Sequence, residues 1–199
     1  MSDILCITNR RLCRGDFLSR LDEIAAAGPR ALILREKDLA EGDYLALAEK
    51  VAAICEKRGA PLILHGFPNA AEALNIPALH LPLPALRALD EKTRARFAIL
   101  GASCHSPAEA REAASLGCTY ITAGHVFDTD CKKDLPGRGL DFLRETCLSV
   151  PIPVYALGGV TPENADAVRA CGAAGIAVMS GLMTCADVKS YMKELAHGH

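Results

Sequence analysis

The residues of this chain able to do chemistry are a few histidines, two groups of cations and two glycine turns. His125, in Gly124-His125-Val126-Phe127, is an imidazole beside a glycine and an apolar pair. With an ordinary pKa near 6.5 such a group can take and return a proton at neutral pH. Arg35 and Lys37 flank Glu36, while Lys132, Lys133 and Arg138 follow in one later stretch. Cations gathered on one rim of a mildly acidic chain suit an anionic substrate. Gly158-Gly159 and Ser180-Gly181 each precede a helical pattern, and turns of that kind expose backbone N–H groups to a phosphate. His80, between Leu79 and Leu81, reads as core, and His105, just before a helix start, as a capping or packing residue; His65 is open. No serine–histidine–aspartate order is evident, and neither Cys104 nor Cys131 has a partner motif as a nucleophile. Gly137-Arg138-Gly139 is too short for a dinucleotide loop.

The elements that must position these groups repeat along the chain. Short apolar runs at Ile4–Thr8, Ala31–Arg35, Pro61–His65, Ala78–Leu81, Phe97–Ser103, Tyr120–Ala123, Pro153–Leu157 and Gly175–Met179 read as strands. They are continuous rather than alternating, as in parallel strands covered on both faces. Helical patterns lie between them, most clearly from Asp43 to Arg58, where Tyr44, Leu47, Val51 and Ile54 recur at three and four residues. Ser106-Pro107 and Thr161-Pro162 each place a capping hydroxyl before an N1 proline. Gly28, Gly117 and Gly172 sit where helices should stop. Eight units at about 25 residues each predict a (β/α)8 TIM barrel of class α/β, a single domain over residues 1–199. An open doubly wound sheet is the alternative. In a barrel, every candidate above falls at the carboxyl end of a strand or in the loop after it.

Composition narrows the function classes. Half of the 199 residues are hydrophobic, and 24 acidic residues face 22 basic ones. That excludes disorder and gives no global reason to expect nucleic acid or a membrane as partner. The longest weakly polar stretch, Gly172 to Met183, is too short to span a bilayer, which needs about 20 apolar residues. Nine cysteines, an odd number with no C-x-x-C and no evident secretion signal, predict reduced thiols in a cytoplasmic protein. The same spacing argues against zinc.

Several segments then resemble one family. Ile33-Leu34-Arg35-Glu36-Lys37, Leu100-Gly101-Ala102-Ser103-Cys104-His105-Ser106, Gly124-His125-Val126-Phe127 and Val154-Tyr155-Ala156-Leu157-Gly158-Gly159-Val160-Thr161-Pro162-Glu163-Asn164 are similar to the thiamine phosphate synthase superfamily, in order over nearly the whole chain. Gly175 through Gly181 continues the match. The resemblance implies a barrel acting on a thiazole phosphate, with Ser103, Lys132, Gly159, Ser180 and Gly181 on that substrate. Family members are often dimeric, so a homodimer is carried as an expectation.

Departures from the synthase pattern point to one branch. Synthases have a glutamine at the place of Ile33, Asn-Asp at His65-Gly66, and a glutamine and a second magnesium aspartate at Leu83 and Ala85. A histidine at position 125, where synthases usually have proline, resembles the TenI-type thiazole tautomerases. The expectation is therefore an isomerase with no cofactor and no metal. In it His125 moves one proton, Arg35 and Lys132 neutralise the substrate carboxylate, and the ring of a dihydrothiazole carboxylate phosphate becomes aromatic. The alternatives are a thiamine phosphate synthase, coupling a pyrimidine diphosphate to the thiazole phosphate, and a non-catalytic protein that binds the thiazole phosphate to regulate. A phosphosugar isomerase on the same scaffold also stays open.

Overall fold

A computed structural model describes residues 2–129 and 135–197. Eight strands, β1 (Ile4–Ile7), β2 (Ala31–Leu34), β3 (Leu62–His65), β4 (Ala78–Pro82), β5 (Ile99–Cys104), β6 (Tyr120–Gly124), β7 (Val154–Leu157) and β8 (Gly175–Val178), pair in sequence order. All pairings are parallel, and β8 returns to β1 to close the barrel. All eight strands fall where the apolar runs place them, with ends shifted by at most two residues. The alternative of an open sheet is excluded by the β1–β8 ladder.

The continuity of those runs has a direct cause. Ile4, Cys6, Leu32, Leu34, Leu64, Leu79, Leu100, Ile121, Ala156 and Ile176 point outward and pack under the helices. Leu5, Ile7, Ala31, Ile33, Ile63, Ala78, Tyr120, Tyr155 and Ala177 point inward and fill the barrel. Both faces of each strand leave water, so no position alternates to polar until the carboxyl ends are reached.

Helices α1 (Phe17–Ala26), α2 (Glu41–Arg58), α3 (Pro68–Ala73), α4 (Leu83–Ala88), α5 (Glu91–Arg94), α6 (Pro107–Ser115), α7 (Gly139–Ser149), α8 (Ala165–Ala170), α9 (Ser180–Thr184) and α10 (Val188–His197) form the outer layer. On α2 the buried stripe is Tyr44, Ala48, Val51 and Cys55, with Leu47 and Ile54 half-buried at its edge. Ser106 caps α6 as its sequence predicts, accepting from the Glu109 N–H at 3.1 Å. The second expected cap differs. Asn164, not Thr161, adjoins the first turn of α8, which begins at Ala165. Asn164 spends its side chain on the loop, accepting from the Thr161 N–H and donating to the Gly159 carbonyl, both at 2.9 Å. Gly28, Gly117 and Gly172 do end their helices in the left-handed region.

Candidate active site

The inward face of four consecutive strands carries a polar belt near the carboxyl mouth. His65 on β3 is in register with His80 on β4, and Ser103 on β5 with Thr122 on β6. The two imidazoles stack with ring centroids 5.5 Å apart. His80 lies 2.9 Å from the Tyr120 hydroxyl through Nδ1 and 2.9 Å from Ser103 Oγ through Nε2. Burial, aided by Arg35 and Lys37, pushes the His65 imidazole down to about 3. Burial first, and then His65, Lys37 and Arg35, hold His80 well below the ordinary histidine range. Both rings are therefore neutral at physiological pH. His80, read as core, is buried, but it belongs to this hydrogen-bonded belt rather than to the apolar packing.

The second strand delivers the cations. Arg35 is half-buried and Lys37 exposed, immediately beyond β2. Between them Glu36 turns away into a buried clamp. Its carboxylate accepts from Thr8 Oγ1 at 2.7 Å, from the Arg10 N–H at 3.0 Å and from the Arg10 guanidinium at 3.1 Å. Thr8 Oγ1 in turn accepts from the Arg35 N–H at 2.9 Å. The mouths of β1 and β2 are thus tied together, and the Arg35 backbone is seated by that tie. Tyr44 does the same between β2 and β3, donating to the Leu34 carbonyl at 2.7 Å and accepting from the His65 N–H at 2.9 Å.

His125 follows β6 and is 4% exposed. Its Nε2 donates to the Leu135 carbonyl at 3.0 Å. Nδ1 is buried with no hydrogen-bond partner among the described residues. His105 donates through Nδ1 to the Gly124 carbonyl at 2.7 Å, and its own N–H is held by the Glu109 carboxylate. The packing reading of His105 thus acquires a specific contact.

The glycine turns have steric reasons of their own. Gly158 and Gly159 both have positive φ, and a Cβ on Gly158 would stand 2.3 Å from the His125 Cβ. A Cβ on Gly181 would stand 2.2 Å from the Tyr191 hydroxyl. Ser180 opens α9. Lys132, Lys133 and Cys131 lie outside the described residues. His125, Arg35, Lys37, Ser103, Gly159, Ser180 and Gly181 all stand at or just beyond the carboxyl ends of their strands, as a barrel requires.

Sequence reasoning missed Glu36, Thr8, Tyr44 and Tyr120 as parts of the site's frame. Only for Tyr120 was a signal present: it shares the strand parity of Thr122 and Gly124 and must face the same way. The eight described cysteines are free thiols, and burial pushes those of Cys104 and Cys118 up to about 12.

Magnesium, which the family resemblance implies, does not fit the residues present. A hard cation needs oxygen ligands. Here the expected carboxylate positions are Gly66 and Ala85, and their neighbours are neutral imidazoles and two cationic side chains. Among the described residues no three or more His, Cys, Asp or Glu side chains gather to hold a metal.

A closed parallel barrel with its cations, imidazoles and glycine turns at one mouth defines a (β/α)8-barrel protein, whose polar side chains gather at the carboxyl ends of its strands. A family model described as thiamine monophosphate synthase matches residues 4–182. Thiamine-phosphate synthase of Syntrophomonas wolfei is 32% identical over 95% of this chain and 92% of its own. That of Clostridium acetobutylicum is 33% identical over 92% of this chain and 88% of its own. A solved thiamine phosphate pyrophosphorylase from Pyrococcus furiosus superposes with a TM-score of 0.83 at 31% identity, covering 97% of this chain and 93% of that one. The chain belongs to the thiamine monophosphate synthase family, a family of thiamine biosynthesis.

These relatives overturn the expectation of a thiazole tautomerase. They are named synthases, which are transferases rather than isomerases, and the likeness runs through nearly the entire chain. The isomerase reading rested on the missing glutamines and carboxylates at Ile33, Gly66, Leu83 and Ala85 and on a histidine at position 125 in place of proline. His125 is a buried ring whose Nε2 proton is committed to the Leu135 carbonyl, so its presence has a role in holding the segment after β6. No described helix is long and apolar enough to cross a membrane.

Proposed function

We propose that the chain is a thiamine-phosphate synthase, joining a pyrimidine released from its diphosphate to a thiazole phosphate. The observation that carries this is identity of about one third to named synthases across nine-tenths of the chain. In this reading Arg35 and Lys37, with Lys132, neutralise the charge growing on the departing diphosphate. The backbone at Gly159, Ser180 and Gly181 holds the thiazole phosphate, spending remote binding energy on orientation. Ser103 gives the substrate a hydroxyl contact, and His125 steadies the segment after β6 through its bond to the Leu135 carbonyl. No step is assigned to a metal ion, because the donor set does not suit one. Free thiols throughout the described chain support the cytoplasm as its place of work, and a homodimer remains part of the proposal.

The test is chromatographic detection of thiamine phosphate after incubation with both substrates, once with magnesium and once with chelator. Formation well above the protein-free blank supports the reading, and no product in either condition refutes it. A second reading is favoured by the missing carboxylates alone: a regulatory protein that binds the thiazole phosphate without coupling it. Calorimetric binding of thiazole phosphate together with no product would select it.

A further inference from the structure

We infer that Tyr120, acting through His80, sets the direction of the hydrogen bonds in the barrel mouth so that Ser103 meets bound substrate as a donor. The chain of contacts runs from the Tyr120 hydroxyl to His80 Nδ1 at 2.9 Å, and from His80 Nε2 to Ser103 Oγ at 2.9 Å. A neutral imidazole carries one proton, so one nitrogen donates and the other accepts. The phenol decides which. Tyr120 is buried, and among the described residues its hydroxyl has His80 Nδ1 as its hydrogen-bond partner. Were Nδ1 the donor, the phenolic proton would be left in the barrel interior without an acceptor, which buried polar groups avoid. The phenol therefore donates to Nδ1, and the imidazole proton lies on Nε2, aimed at Ser103. Burial raises the Tyr120 phenol far above its ordinary range, which keeps that proton in place.

Ser103 then receives. Its Oγ accepts from His80, and the Thr122 hydroxyl stands 3.4 Å away on the paired position of β6. With a lone pair engaged by His80 from inside the barrel, and Thr122 too distant at 3.4 Å for a strong bond, the serine proton is directed to the half-exposed mouth side. The atom seated there is an acceptor, a heteroaromatic ring nitrogen or a phosphoryl oxygen. The position of the phenol is built into the sheet. Gly101, in register with Tyr120, lets the ring lie across β5, because a Cβ there would stand 2.2 Å from the Tyr120 ring. Tyr155 meets the same ring edge-on at 5.9 Å between centroids. Tyr120 and His80 are thus positioning residues that choose between a donor and an acceptor at Ser103. The inference rests on the proposal that this mouth binds the synthase substrates.

Long-range proton–nitrogen correlation on the histidine-labelled protein reads the tautomer without any ligand. His80 should carry its proton on Nε2, and Tyr120→Phe, which keeps the ring, should shift or mix the two tautomers. Calorimetry with thiazole phosphate and with the pyrimidine diphosphate, titrated separately, reads the consequence. Tyr120→Phe should weaken by about 3- to 10-fold the ligand that Ser103→Ala also weakens. The double variant should bind no more weakly than Ser103→Ala alone. An Nδ1–H tautomer in the unaltered protein, additive losses, or affinities for both ligands that ignore Ser103→Ala would each overturn the inference. The coupling assay answers separately, since product formation with an Nδ1–H tautomer would sink this inference and leave the synthase reading standing.

Discussion

His65 shows what a single side chain does to this protein. Its ring stacks on His80 and feels Arg35 and Lys37, while its backbone N–H is held by Tyr44. The folded imidazole titrates at about 3, whereas an unfolded one protonates near 6.5. Between those values the unfolded chain binds the proton and the folded chain does not. The stability contributed is full above pH 6.5 and is lost as the pH falls toward 3. His80, depressed for the same reasons, acts in the same direction. Over pH 6.5 to 4.5, before most carboxylates titrate, His65 should tilt the urea-unfolding free energy by up to roughly 1.4 kcal/mol per pH unit, and His80 adds in the same direction. His65→Gln should remove the His65 share of that slope and leave the His80 share. An unchanged slope in the variant would show that His65 is not the group responsible.

At the scale of elements, the short strands are tied at their mouths by side chains from elsewhere. The β2–β3 ladder ends with Leu34 opposite Leu64, and the Tyr44 phenol reaches from α2 to bridge the Leu34 carbonyl and the His65 N–H. Tyr44→Phe keeps the ring stacked on Phe67 but leaves both backbone groups without that partner. It should cost about 1–3 kcal/mol in thermal or denaturant unfolding. It should also speed hydrogen exchange at the His65 amide more than at amides of β6. Equal changes at both strands would mean a global loss rather than a local tie. The tie was not legible beforehand, because the regular spacing on α2 identified Tyr44 only as a core residue. Strand and helix order was legible, since continuous apolar runs and glycine stops depend on neighbours a few residues away.

For the whole molecule, closure of the barrel decides which groups ever meet solvent. Cys6, Cys55, Cys104 and Cys118 lie beneath the helices or within them, and burial pushes the thiols of Cys55, Cys104 and Cys118 up to about 11 to 12. A thiol reacts as its thiolate, so these should label only when the barrel opens as a unit. Pulse labelling followed by mass spectrometry should find them modified in step with global unfolding as urea is raised. Half-buried Cys13, Cys147 and Cys185 should label earlier. Early labelling of Cys104 would show that β5 and β6 separate before the rest.

The sequence by itself determined the strand order, the covered faces and the mouth at which the candidate residues collect. Those follow from local periodicity and from the rule that parallel units close with their loops at one end. Its family resemblance was also readable, although the absent carboxylates at Gly66 and Ala85, together with His125, pulled the reading toward an isomerase that the relatives do not support. The tertiary structure decided the pairings. Glu36, given no role by the sequence, becomes a buried clamp because Thr8 and Arg10 lie across the β1–β2 seam. His80 turns from packing into a directed hydrogen-bond carrier because Tyr120, forty residues later, crosses Gly101 to reach it. Such contacts join residues distant in sequence, and only the closed register of the barrel sets them within hydrogen-bonding distance.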